Sequence, residues 1–120
     1  MSLIISQSPK YFAPCEHPVL GEEGKLQTHL FDGQFKRLKT SQIQQLNEDI
    51  AAGKCTDAQL LERVMVGWRG VENLSGPMPF TPENFALAEE EMPGLKQAFV
   101  RGYIASTSPT ASAHLLEKNS

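Results

Sequence analysis

The chain has 120 residues, enough for one domain with a core of its own. Its 40% hydrophobic and 21% charged content is ordinary for a soluble globular protein, and a formal net charge of -3 argues against nucleic acid or an anionic membrane as the main partner, since both demand a basic face. No apolar run approaches the roughly 18 residues of a membrane span, and the start lacks a basic n-region and a small-residue cleavage site. Cys15 and Cys55 are too few for a disulfide framework, so a reducing cytoplasm is the expected compartment.

In chain order, residues 1–14 are polar and proline-bearing and are expected to form a flexible N-terminal arm. A short strand near Val19, a turn through Gly21–Gly24 and a longer strand from Leu26 then make a β-hairpin, with Leu26, Thr28 and Leu30 on one face and Gln27, His29 and Phe31 on the other. Asp32-Gly33 reads as a turn or bulge, after which Phe35 and Leu38 return to an apolar surface. A lone hairpin is marginal in water and must lean on the helices that follow.

Ser41 and Gln44 fit a capping box for a first helix carrying Ile43, Leu46 and Ile50 and stopping at Gly53. Thr56 and Gln59 repeat the box for a second helix, whose stripe is Leu60, Leu61, Val64, Met65 and Trp68, with Gly70 as its stop. Asn73 to Pro79 has turn chemistry. A third helix follows, with Thr81 as N-cap, Pro82 at N1 and Phe80 and Phe85 placed as a hydrophobic staple; it runs to about Glu91. Pro93 suits N1 of a fourth helix, which buries Leu95, Phe99, Val100, Tyr103 and Ile104. The expected fold is α+β, mainly α-helical with about four short helices and an N-terminal β-hairpin. One domain spans residues 15–105, and 106–120 form a flexible tail of linker composition.

The chemistry-bearing residues point to no enzyme. Gly67, Gly70 and Gly76 lack phosphate-loop spacing, and the first two are expected to end a helix instead of opening one. Cys15-x-His17 offers two metal ligands where a structural zinc needs four, so His29 and Cys55 would have to converge from elsewhere. A thiol pair of Cys55 with His29 or His17 finds no base among the neighbours of Cys55. Glu89–Glu91 reads as a solvated helix face, and Lys36, Arg37 and Lys39 are too few for a nucleic-acid footprint.

FKRL at Phe35–Leu38, VMVGWRGV at Val64–Val71, PMPFTPENF at Pro77–Phe85 and MPGLKQAFVRGYI at Met92–Ile104, in this order and spacing, resemble the tail assembly chaperones of long-tailed phages and prophages. The likeness covers roughly residues 15 to 105. It implies a non-enzymatic protein of the host cytoplasm, absent from the mature virion and without cofactor or metal. Such a protein binds the tape measure protein while tail tube protein polymerises around it, with no nucleic acid or membrane partner. On this resemblance Phe35, Lys36, Arg37, Leu38, Trp68, Phe80, Phe85 and Tyr103 are the expected partner-binding residues. Homo-oligomerisation is expected through an open hairpin edge between about Lys25 and Leu38. A structural tail or head-tail connector subunit retained in the virion, and a metal or small-molecule module around Cys15 and His17, are the alternatives. The resemblance also implies a longer, frameshifted form, and Glu117-Lys118-Asn119 can be encoded by a slippery run.

Overall fold

A computed structural model describes Leu3, Ile5 and residues 8–107. Strands β1 (Lys10–Leu20) and β2 (Leu26–Lys36) form an antiparallel hairpin, and helices α1 (Thr40–Ala51) and α2 (Asp57–Val64) follow. Strand β3 (Met65–Arg69) completes a sheet of order β1-β2-β3. A miniature hairpin of β4 (Glu72–Asn73) and β5 (Gly76–Pro77) leads to α3 (Pro82–Glu91) and α4 (Leu95–Thr107). The fold is therefore α+β with an N-terminal hairpin, as expected, and with a third strand that the sequence reading assigned to a helix.

Burial alternates with period two along β1, while β2 is exposed from Leu26 to Leu30 and turns inward only toward its end. Ala13, Cys15 and His17 point inward from β1, opposite Gly33, Phe31 and His29 of β2. Phe12, Pro14, Glu16, Leu26, Thr28 and Leu30 look out to solvent. One face of an antiparallel sheet is thus covered and the other open. Helix α4 lies across the covered face and buries Leu95, Phe99, Val100 and Tyr103, while Ile104 is exposed. Gly102 permits this close approach, since a Cβ there would stand 2.4 Å from Cys15 Sγ and 3.0 Å from the Pro14 carbonyl. Phe35, Phe99 and Val64 are fully enclosed at the centre.

The caps explain the helix starts. Gln59 and Thr56 form the expected reciprocal box at α2, with bonds of 2.9 and 3.2 Å. At α3, Thr81 Oγ1 accepts from the Asn84 amide at 3.0 Å, and the Phe80 and Phe85 rings meet edge to face at 6.3 Å. Gly53 ends α1 at φ +73°.

Several expectations are corrected. Helix α1 starts two residues early, with Gln42 Oε1 accepting from the Lys39 amide at 2.8 Å; the anticipated Ser41–Gln44 box is not its cap. Ile50 on that helix is exposed. Asp32-Gly33 is no turn, because β2 runs straight through it. Gly33 is required there by packing: a Cβ would come within 2.6 Å of the Phe35 ring and 3.1 Å of Phe99. Pro93 sits in the α3–α4 turn, with Gly94 at φ +92°, and α4 begins at Leu95. The arm is shorter than residues 1–14, since β1 starts at Lys10 and the Arg37 amide still bonds the Pro9 carbonyl. At the other end Ser106 and Thr107 continue α4, while the remaining linker and Glu117–Asn119 lie outside the described residues.

The largest correction concerns Met65 and Trp68. Helix α2 stops at Val64 and the chain passes directly into β3. The β2–β3 register pairs Phe35 with Met65, Gln34 with Gly67 and Gly33 with Trp68, so Val66 is an extra residue. This bulge turns Met65 and Trp68, three residues apart, to the same inward face. Strand residues thereby acquire the spacing of a helical stripe. Gly70, at φ +81°, ends β3 and not a helix.

Candidate functional site

The aromatic residues of the motif segments meet in one place. Trp68 lies edge to face with Phe80 at 5.2 Å and stacks on Phe85 and Phe99, each at 6.1 Å between ring centres. Its indole N–H donates to the Met78 carbonyl at 2.7 Å, tying β3 to the loop that precedes α3. Phe35 continues the cluster toward Tyr103 at 5.1 Å and Tyr11 at 6.3 Å. Rings brought from five elements and one loop thus set how α3 stands against the sheet.

Above Phe80 and Phe85 runs an open cleft of about 550 Å³. Its first wall is α2 and the start of β3, through Ala58, Leu61, Glu62 and Met65, at spacings i, i+3, i+4 and i+7. Its second wall is α3, through Pro82, Phe85, Ala86, Glu89 and Glu90, with Lys96 of α4 at the end. Leu61 and Met65 are buried in the floor, while Ala58 and Ala86 sit exposed on the upper walls. The two alanines leave open the width that larger side chains would close. The cleft is an apolar trough between two helix faces, bordered by carboxylates.

Those carboxylates have different tasks. Glu89 Oε2 accepts from the Lys96 amide at 2.7 Å and so caps the N-terminus of α4, where negative charge is favoured. The acidic run is therefore not merely a solvated face. Glu62 and Glu90 are exposed on opposite walls, and neither makes an ion pair among the described residues.

A second cleft of about 670 Å³ lies on the other side of α3, between His17, His29 and Phe31 of the hairpin, the β4–β5 turn, and Leu87 and Met92. His17 is buried, its Nδ1 has no partner among the described residues, and its ring lies against Gly94. Cys15 lies two residues away beneath Gly102; burial pushes its thiol up to about 11, so it stays protonated at neutral pH. Cys55 sits in the α1–α2 turn, its Sγ near the Thr56 carbonyl, and does not line the cleft that holds the histidines. Among the described residues no three His, Cys, Asp or Glu side chains are grouped to hold a metal ion. No helix among them is long and apolar enough to cross a membrane.

No family model, curated protein or solved structure matches this chain.

The eight expected partner-binding residues divide by position. Phe80 and Phe85 line the groove, with Trp68 beneath them. Phe35 and Tyr103 are core residues, 0% and 3% exposed, and cannot touch a partner without unfolding. Burial also pushes the Tyr103 phenol up to about 12. Lys36 ends β2, Arg37 and Leu38 follow it, and all three lie outside the groove lining. Arg37 is engaged internally, donating from Nε to the Ser8 carbonyl at 3.0 Å and lying 4.7 Å over the Tyr11 ring. Sequence reading missed Ala58, Leu61, Glu62, Ala86 and Glu90. Their signal was present as i, i+3, i+4 spacing on α2 and α3, but only the fold sets the two faces opposite each other.

The open hairpin edge also shifts. Strand β3 covers β2 from Asp32 to Phe35, so the edge open to a further strand is Leu26 to Leu30. On β1, the Arg37–Pro9 and Gly21–Lys25 backbone bonds place odd residues in hydrogen-bonded pairs. Even residues therefore aim their backbone groups outward, and two of these, Pro14 and Pro18, have no N–H to offer. The β1 edge is blocked by its own prolines.

Proposed function

We propose that this chain is a non-enzymatic phage tail assembly chaperone that binds the tape measure protein during tail morphogenesis. The observation that carries the reading is the α2–α3 groove, an apolar trough open to solvent, to which the segments that resemble the family contribute Met65, Phe80, Pro82, Phe85 and Lys96. Tape measure proteins are long and helical, and a trough between two helices recognises a helix by its i, i+3, i+4 and i+7 side chains. The groove lining offers Leu61, Met65, Phe80 and Phe85 for reversible contact and no grouping of nucleophile, base and acid. On this reading the protein acts in the host cytoplasm, holds its client while tail tube protein polymerises, and is absent from the finished particle.

Co-expression with a tape measure protein tests the proposal. The client should be soluble and co-purify with this chain, and should aggregate without it. A tape measure protein equally soluble and unbound in both cases would refute it.

A structural tail or connector subunit is favoured by one feature, the open Leu26–Leu30 edge next to exposed Leu20, Leu26 and Leu30. Such an edge suits multimerisation. Mass spectrometry of purified particles separates the two readings: a retained subunit is present in stoichiometric amounts, a chaperone is not.

A further inference from the structure

The geometry points to a specific occupant for the α2–α3 groove: an amphipathic helix whose apolar stripe is bordered on both sides by lysine or arginine. The inference rests on the client-holding reading above for its biological partner, and on the groove alone for its chemistry. Two walls with matching helical spacing enclose a trough whose floor is Leu61, Met65 and Phe85. A third helix can lie between them with its large side chains seated over the small Ala58 and Ala86. Cleft volumes of this order take a few anchoring apolar side chains.

Charge selects which helix. Glu62 stands on the α2 wall and Glu90 on the α3 wall, both exposed and free of ion pairs among the described residues. A helix with basic residues along both borders of its stripe meets a carboxylate on each side, whereas an acidic helix meets repulsion on each side. A second copy of this chain presents the wrong sign through α3, which ends in Glu89-Glu90-Glu91. Lys96, at one end of the trough, disfavours a basic residue there and so gives the bound helix a direction.

The test uses the full chain and a fluorescein-labelled synthetic peptide of about 18 residues, five turns of helix. The peptide has leucine at i, i+3, i+4 and i+7, lysine along both borders, and no tryptophan. A second peptide carries glutamate in place of lysine. The lysine peptide should bind more tightly by about tenfold or more, and its advantage should shrink as salt is raised. The E62K/E90K variant should reverse the preference, and binding should change Trp68 fluorescence. Ala86→Trp, which fills the trough from an exposed position, should abolish binding of both peptides while leaving the circular dichroism spectrum unchanged.

Equal affinity for the two peptides, or a preference unmoved by E62K/E90K, overturns the proposal. So does an Ala86→Trp variant that loses self-association, or shifts the resonances of residues 108–120, without losing peptide. Those results assign the groove to a second copy or to the tail. If the lysine peptide binds as described and the tape measure protein does not, the chaperone reading fails and the groove chemistry stands. If Ala86→Trp loses the peptide but still co-purifies the tape measure protein, the client is held elsewhere and the assignment of the groove to that client is overturned.

Discussion

Replacing Trp68 by alanine probes the junction that sets the groove. Its ring touches Phe80, Phe85 and Phe99, and its N–H holds the Met78 carbonyl at 2.7 Å. Truncation of an enclosed tryptophan costs about 3–5 kcal/mol. Trp68 is only partly buried, which moves the expectation to the lower end, and the released Met78 carbonyl is near enough to the surface to be hydrated. We therefore expect Trp68→Ala to destabilise by about 3 kcal/mol. Trp68→Phe keeps most of the stacking, loses one hydrogen bond and part of the ring, and should cost about 1–2 kcal/mol. Urea unfolding followed by far-ultraviolet circular dichroism is the suitable assay, because Trp68 is the single tryptophan and its removal silences the fluorescence. With a urea slope of about 1–3 kcal/mol per molar, the alanine variant should lose about 1–3 M from its midpoint. A loss under about 1 kcal/mol, or a wild-type emission spectrum typical of a fully exposed indole, would refute the placement of this ring.

Gly102→Ala should destabilise by about 1–2 kcal/mol despite the better helix propensity of alanine, because its methyl collides with Cys15. Combining it with Cys15→Ala should recover part of that loss, and strictly additive costs would count against the contact. Burial raises Cys15 from 9.0 to about 11 and Tyr103 from 10.0 to about 12, so the folded state holds protons that the unfolded chain releases. Their stabilisation is complete below about pH 9 and is lost as pH rises through about 11 and then 12. The urea midpoint should fall over that range and more shallowly in Cys15→Ala; a midpoint flat to pH 11 would contradict the burial. Self-association, if it uses the open β2 edge, pairs two strands about Thr28 with Leu26 of one opposite Leu30 of the other. Thr28→Pro removes an N–H that faces the open edge and not β1, so sedimentation should show weaker association with the fold intact. Unchanged association would place the interface elsewhere.

What the sequence determined by itself was local. Thr56 with Gln59, Thr81 with Pro82, and the Phe80–Phe85 staple act within one turn of chain, and each lies where its spacing predicts. Glycines with positive φ mark the ends of α1 and β3 for the same reason, since backbone strain is read residue by residue. Trp68 packs with Phe80, Phe85 and Phe99, residues that the apolar stripes and the staple already marked as large inward-facing anchors. The tertiary structure alone decided the rest. Met65–Arg69 became strand because β2 offered it backbone partners, and the bulge at Val66 gave a strand the inward spacing of a helix. Gly33 and Gly102 are set by rings and a thiol distant in sequence, which no local pattern announces. The groove is the clearest case: Ala58 and Ala86 are unremarked helical alanines until two helices stand apart across a common floor, and a space between elements has no signature in either of them.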